Sequence, residues 1–369
     1  MFQRLDGSPT VDASAVDAAA TGRRSSRGAS ALLQAGSIAL SLAAPRIVRS
    51  VSRGRTPRLK TVLATAAMVG GANAVTAAME RRTPFREQWN ESVDDDVRLD
   101  VTYIGVQGPL VGAAVGLVSH LVLAPSRRSG GAARGSLWPC RAPLAARVLL
   151  ALAVAELPHY WWHRLSHGVG WRWHAVHHSA NRLYWLNATR VHALDMFVDV
   201  LGLTLPLRML GIDADASLAT HVFRGTYGKV QHSNVAGGSG VLNLLFSTPE
   251  LHRWHHSLDP RRGFCNFGAS LIVWDRIFGT CSAPDRQFGD PIGVDDPEYP
   301  TTWSGQFAAP LRRQGDVAAG PERSLLGAEQ VEDHLGDGVE GDPLHADVVG
   351  AVRSPAVEDV EARAARDVG

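Results

Sequence analysis

Long uncharged, apolar runs alternate with polar stretches along the first half of the chain, and they set its predicted elements. Val101 to Ala124 is almost free of charge over a length that an ordinary buried helix does not reach, so it predicts a membrane-spanning helix. Thr61 to Met79 and Pro143 to Ala155 read the same way. The second of these runs into Tyr160, Trp161 and Trp162, and the tryptophans predict an aromatic belt at a membrane surface. Ala29 to Ala44 predicts another span or an interfacial helix. Met196 to Leu210, interrupted by Pro206 and Arg208, predicts a half-buried or interfacial helix. Alanine- and glycine-rich helices also build soluble cores, and only Val101 to Ala124 is too long for that alternative. Arginines precede Thr61, at Arg53, Arg55 and Arg58, and follow Ala124, at Arg127, Arg128, Arg134 and Arg141, so the positive-inside rule leaves the orientation open.

The ends lack this patterning. Residues 1–28 carry Ala, Ser, Asp and Arg with no apolar period and no secretory-signal layout, which predicts a flexible tail. Residues 29–58 hold the extra apolar or interfacial helix and a basic linker, and residues 59–313 form the main domain. Residues 314–369, rich in Gly, Asp, Glu, Val and Ala, predict a disordered tail. With 45% hydrophobic residues and a net charge of +1, the chain is neither an acidic disordered protein nor a nucleic-acid binder. Cys140, Cys265 and Cys281 form no C-x-x-C pair and no disulfide framework, so they read as packing residues.

Candidate chemistry lies in three histidine clusters, His163-Arg-Leu-Ser-His167, His174-Ala-Val-His177-His178 and His252-Arg-Trp-His255-His256, which hold eight of the fifteen histidines. On helices, the i, i+3 and i+4 spacings project these rings from one face, where neutral ring nitrogens can converge on a divalent cation. A single catalytic zinc takes three protein ligands, so eight histidines imply two metals, or one with a generous surrounding shell. His120, in an apolar run, and His334 and His345, in the polar tail, read as incidental. Spacing does not name the metal. A zinc hydrolase of the His-Glu-x-x-His type is disfavoured because Arg164 and Arg253 follow the leading histidines where that motif places its general base.

The chain resembles the fatty acid hydroxylase and sterol desaturase superfamily of integral-membrane di-iron oxygenases. The resemblance rests on Tyr160-Trp-Trp-His163-Arg-Leu-Ser-His167, Trp173-His174-Ala-Val-His177-His178-Ser179, Thr248-Pro-Glu-Leu-His252-Arg-Trp-His255-His256 and Asn266-Phe-Gly-Ala-Ser-Leu-Ile-Val-Trp274-Asp275-Arg-Ile-Phe-Gly279-Thr280. It runs from about Glu80-Arg-Arg-Thr-Pro84, through Arg190-Val-His192 and His232-Ser-Asn234, to about Pro310. Two departures stand out: Ala193 where the family often has proline, and Glu156 where relatives often carry aspartate, either carboxylate being able to orient a ligand.

What the resemblance implies is an all-α membrane bundle whose cytoplasmic-side helical cap holds two irons, with O2 as co-substrate. Hydroxylation or desaturation of a sterol, fatty acyl chain, carotenoid or ether lipid would follow. The implied ligands are His163, His167, His174, His177, His178, His252, His255 and His256. His192 and His232 would bring the set to ten, and His159 and His221 would play supporting roles. Asn181, Asp195, Asn234, Asn266 and Asp275 are placed in sequence to receive ligand N–H groups. Arg190, Arg253 and Arg276 would face lipid phosphates, a redox partner or a surface carboxylate. No haem, flavin or Gly-rich dinucleotide fingerprint is evident, so electrons would come from a separate cytochrome b5-like protein, ferredoxin or reductase. The expected location is a bacterial-type cell membrane with the site facing the cytoplasm. The alternatives are a zinc-dependent membrane hydrolase and a non-catalytic metal-binding membrane protein.

Overall fold

The computed structural model describes residues 28–52, 57–128, 137–282 and 288–311. Of the tails expected at residues 1–28 and 314–369, residues 1–27 and 314–369, with His334 and His345, lie outside the described residues. Among the described residues the fold is helical, and extended pairing is confined to isolated bridges at Pro84–Val235, Phe246–Leu271 and Ser257–Ile292.

Three helices are long and apolar enough to cross a membrane: Ala29–Val51, Pro57–Arg82 and Asp96–Leu123. The first two are α1 and α2. The third comprises α3 (Asp96–Thr102), a π turn (Tyr103–Gln107) and the start of α4 (Gly108–Arg128). The segment expected to be weakest, Ala29 to Ala44, is thus part of a full-length candidate span. Along α2 only Thr76 and Glu80 are fully buried; one face is half-buried and the other, with Leu59, Val62, Leu63 and Val75, is exposed, as contact with lipid requires. On α1 the buried polar groups are paired: Gln34 Nε2 donates to Ser239 Oγ at 2.8 Å, and the Tyr227 hydroxyl donates to Gln34 Oε1 at 3.1 Å. Such pairing is what a polar side chain needs in a helix without water.

Pro143 to Ala155, expected to be a span, leads α5 (Leu144–Ser166), a helix not among the three candidates by length and composition. Its second half carries Glu156, His159, His163 and Arg164, which dilute its apolarity. Its inner face, with Ala151, Leu152, Ala155 and Glu156, packs on α7 (Ala193–Leu210) and α8 (Ala214–Gln231). The expected aromatic belt is corrected in part. Trp161 is partly exposed, whereas Trp162 turns inward and donates from Nε1 to Asp195 Oδ1 at 2.6 Å.

The foot of the third candidate span is fastened to the loop beyond α6 (Trp171–His178). Asp96 takes two hydrogen bonds from Arg182, and Asp100 takes two from Arg190 and one from the Tyr184 hydroxyl at 2.6 Å. Within the π turn, the Tyr103 hydroxyl donates to Gln306 Oε1 at 2.8 Å. Gln107 Nε2 donates to the Val191 carbonyl at 2.6 Å. Asp96, Asp100 and Gln107 thus tie a candidate membrane helix to the segment between two histidine clusters.

Candidate metal centre

Local structure aims the histidines. His163 sits in the last turn of α5, and His167 follows as its C-cap, one helical turn on. The chain then reverses at Gly170, where an added Cβ would lie 2.8 Å from Ser166 Cα, so only glycine allows α6 to start so close to α5. His174, His177 and His178 lie on α6. A third helix, α9 (Pro249–His255), starts with Pro249 in its first turn and Thr248 as N-cap, whose Oγ1 accepts from Leu251 N at 3.4 Å. It presents His252 and His255, with His256 at its end. His232 caps the C-terminus of α8.

These elements bring nine histidines together in two groups, His163, His167, His174, His178 and His255, and His177, His232, His252 and His256. All nine are buried, and within each group one ring nitrogen per residue lies within 4.8 Å of the others. The outer nitrogens are held by acceptors. His163 Nδ1 meets the Phe267 carbonyl at 2.6 Å, His174 Nδ1 meets Asp195 Oδ2 at 2.8 Å, and His255 Nδ1 meets the Cys265 carbonyl at 2.8 Å. His177 Nδ1 meets the Arg190 carbonyl at 3.1 Å, and His232 Nδ1 meets the Gly228 carbonyl at 3.0 Å.

A carbonyl can only accept, so each of these Nδ1 atoms carries the proton and the neutral ring keeps a bare lone pair on Nε2. His232 Nε2 and His177 Nε2 lie 3.3 Å apart, so two acceptors face each other with no proton between them. His252 Nε2 lies 3.0 Å from both His232 Nε2 and His256 Nε2. In the five-histidine group, Nε2 of His163, His174 and His178 is buried without a hydrogen-bond partner among the described residues. Such clusters are costly unless a cation occupies their centre.

Protonation does not relieve the crowding. Burial first, then the charges of neighbouring imidazoles, push His163, His177, His178, His252 and His256 well below the usual histidine range. Burial holds His232 at about 3. These six rings are therefore neutral and ready to ligate, and the residues present fit two divalent metals.

Residues 148–280 match the fatty acid hydroxylase family. Over 266 residues the chain is 33% identical to ornithine lipid hydroxylase OlsE of Rhizobium tropici, a match covering 70% of this chain and 79% of that protein. The chain belongs to the fatty acid hydroxylase family. It is accordingly an oxidoreductase. It is also similar to human alkylglycerol monooxygenase, at 29% identity over 42% of this chain and 37% of that one. With human cholesterol 25-hydroxylase the identity is 28%, over 41% of this chain and 59% of that one. The chain thus spans less than two thirds of these last two relatives. No solved structure gives a significant match.

Of the ten histidines expected as ligands, only His192 falls outside both groups. It is the N-cap of α7: its Nδ1 accepts from Leu194 N at 3.2 Å, and its Nε2 donates to the Phe307 carbonyl at 3.1 Å. With both nitrogens engaged and the ring stacked on Phe307, it has no lone pair to offer a metal. Of the five residues expected to receive ligand N–H groups, Asp195 does so directly, between His174 and Trp162. Asp275 acts at one remove. It accepts from Phe267 N at 2.7 Å and Gly268 N at 2.8 Å, and so sets the carbonyl that holds His163.

The other three are placed elsewhere. Asn234 bonds Arg86 and Asn90, Asn266 at a φ of 53° bonds Leu251 and Ser282, and Asn181 is exposed beside Gly293. Glu156 holds no histidine either. Its Oε2 takes Ser270 N at 3.1 Å and Leu271 N at 2.8 Å. Two buried carboxylates thus clamp one turn, in which an added Cβ on Gly268 would lie 1.9 Å from the Leu271 carbonyl oxygen. Nothing in the sequence marks Phe267, Cys265, Arg190 and Gly228 as acceptors, because their backbone carbonyls do the work.

The arginines are also relocated. Arg190 is buried on Asp100, and Arg253 is buried, donates to the Ser233 and Val235 carbonyls and lies 4.0 Å from the Phe85 ring centre. Both are internal braces rather than docking groups, while Arg276 donates to the Asn243 carbonyl. His221 and His120 are exposed, and His159 pairs with Asp199 beside the site.

Proposed function

We propose that the chain is an O2-dependent lipid hydroxylase in which the two histidine groups each hold one iron. The observation that carries this reading is the convergence of nine buried imidazoles in two groups, with the Nε2 lone pairs of His177 and His232 facing each other at 3.3 Å without a donor. Imidazole suits ferrous iron, and a cage of neutral rings leaves the metals' positive charge uncancelled, which favours binding of reduced oxygen species. The iron pair would supply activation of O2 for attack on an unactivated C–H bond. The protein's own part is to bury nine imidazoles, fix the tautomers of five from outside and exclude water.

Hydroxylation is favoured over desaturation because the relatives bear the names hydroxylase and monooxygenase. A membrane lipid with a polar headgroup is favoured because the relative matched over most of its length is an ornithine lipid hydroxylase. Electrons would come from a separate carrier, and the site would face the cytoplasm of a bacterial-type membrane. A zinc hydrolase fits less well. Among the described residues neither histidine group includes a carboxylate, and Asp195, the acidic group hydrogen-bonded to a member, is committed to His174 and Trp162.

The test is metal analysis and Mössbauer spectroscopy on full-length protein purified anaerobically in detergent from cells grown with labelled iron. Two irons per chain whose spectrum changes when O2 is admitted after reduction, with oxygen incorporated into a lipid, is the expected result. Stoichiometric zinc that iron cannot replace, with no response to O2, would overturn it. His255→Ala should lose both turnover and metal.

A further inference from the structure

The third candidate span buries two polar side chains at its foot, Asp100 at the end of α3 and Gln107 at the end of the π turn. The Asp100 carboxylate accepts both prongs of the Arg190 guanidinium, at 2.6 and 3.0 Å, and the Arg190 carbonyl accepts His177 Nδ1–H at 3.1 Å. Gln107 Nε2 donates at 2.6 Å to the next carbonyl, that of Val191. One candidate membrane helix thus clasps the two-residue segment whose first carbonyl fixes a histidine of the four-membered group.

Regular secondary structure does not aim that carbonyl. Arg190 follows the short 3-10 turn Trp185–Thr189 with a φ of −73° and a ψ of 88°, outside any helical ladder, so the direction of its carbonyl depends on what holds the side chain and the next peptide. Stability does not account for the clasp either. A charged side chain in a membrane helix is costly, and a buried ion pair is often no more stable than an apolar pair of the same volume, whereas a forked Arg–carboxylate pair fixes geometry.

The geometry fixed is that of one metal position. In the four-histidine group His232 comes from the end of α8, His252 and His256 from α9 and its end, and His177 from α6. In the five-histidine group the outer nitrogens of His163, His174 and His255 are held by Phe267, Asp195 and Cys265 instead. The clasped segment also reaches the space beside the metals. A cavity of about 200 Å³ that touches both groups, and carries His159, Asp199 and Arg224 in its wall, is lined by Val191 as well. The same foot holds a second buried pair of the same form, Asp96 with Arg182 at 2.6 and 3.0 Å, but the Arg182 carbonyl accepts from Asn187 Nδ2 rather than from a histidine.

We propose that Asp100, acting through Arg190, is a positioning residue for His177, so that the foot of a membrane helix sets the metal position of the four-histidine group and not that of the five-histidine group. This rests on the two-metal reading above. Asp100 touches neither group of ligands; it holds the carbonyl that keeps the proton on His177 Nδ1 and leaves the lone pair on Nε2.

The test is metal release to a chelator from full-length, detergent-purified protein loaded with iron and, separately, with zinc. Asp100→Asn keeps the shape and one acceptor oxygen but leaves half of the Arg190 fork unmet. It should release one metal per chain about tenfold more readily than wild type, the low end of what loss of a ligand's direct partner costs, with the other unchanged. Arg190→Lys, which keeps the charge but not the fork, should show part of that release. Asp96→Asn, which breaks the pair that holds no histidine, should release both metals as wild type does. Equal release from Asp100→Asn and Asp96→Asn, or two metals leaving Asp100→Asn together, would overturn the proposal. Should Asp100→Asn fail to fold, Asp100→Leu combined with Arg190→Met replaces the ion pair by an apolar one; it should fold and still release one metal early, and retention of both as in wild type would overturn the proposal. Early loss of one of two zinc ions from Asp100→Asn, in a protein that takes no iron and oxidises no lipid, counts against the hydroxylase reading alone. Two irons with O2-dependent turnover, released alike from wild type and Asp100→Asn, count against the Asp100 role alone.

Discussion

Asparagine at position 195 should weaken one metal position and spare the other. The Asp195 carboxylate receives two donors, His174 Nδ1–H at 2.8 Å and Trp162 Nε1–H at 2.6 Å, and both it and His174 are buried. An isosteric amide has one acceptor oxygen and one NH2, so it can serve only one of these donors. If the NH2 turns to His174, the imidazole must accept at Nδ1, which moves its proton to Nε2 and removes the lone pair aimed into the five-histidine group. If the oxygen turns to His174, the carboxylate's charge is still lost.

Two independent magnitudes agree. A hydrogen bond to a charged partner contributes about 1.5–3 kcal/mol, and loss of an outer partner of a metal-ligating histidine costs about 10–100-fold in affinity, or about 1.4–2.7 kcal/mol. No hydrogen bond joins His177, His232, His252 or His256 to Asp195 among the described residues, so the second position should hold its metal as before. Titrating iron-loaded Asp195→Asn with a chelator should release one iron per chain about 10–100-fold more readily than wild type, and the second unchanged. Two irons released together at wild-type chelator concentration would refute the reasoning.

Other outcomes follow from the same geometry. His192→Ala should keep its full metal content while losing a helix cap, worth about 1 kcal/mol in a thermal melt, together with the contacts to Phe307, whereas loss of a metal would restore His192 as a ligand. Glu156→Ala should lower stability by about 1–3 kcal/mol for each of the two backbone N–H groups it strands, at Ser270 and Leu271, read by denaturation in detergent. Burial lowers Lys229 from 10.5 to about 7, and its Nζ has no hydrogen-bond partner among the described residues. Between those values the unfolded chain binds more protons than the folded one, so stability should rise as pH increases from about 7 to 10.5, by up to about 1.4 kcal/mol per unit. Lys229→Met should flatten that rise, and an unchanged slope in melts at pH 7.5 and 9.5 would show that Lys229 is not its source.

Legibility in the sequence followed the range of the physics. The i, i+3 and i+4 spacing of His174, His177 and His178 needs only a helix to put three rings on one face, so the clusters and their metal-binding character could be read locally. Isolated residues could not be read so. His192 and His232 looked equivalent in the sequence, each alone between clusters, yet one caps the start of α7 and the other closes the four-histidine group. The difference lies in where the end of α8 meets α9. Arg190 and Arg253 likewise carried no sign of burial, because Asp100 and Phe85 approach them across 90 and 168 positions of chain.

By itself the sequence determined the helical class, the three clusters, the long apolar spans and the family, since periodicity, composition and contiguous motifs act within a few turns of chain. An apolar half-helix such as Pro143 to Ala155 looks alike in sequence whether lipid or α7 and α8 cover it, and in the fold its inner face packs on both. Only the tertiary structure decided how nine rings divide into five and four, which backbone carbonyls fix their tautomers, and that His159, Asp199 and Arg224 share a cavity with them. Those depend on where helix ends meet, and a meeting of distant helices is set by packing of the whole core rather than by any one segment.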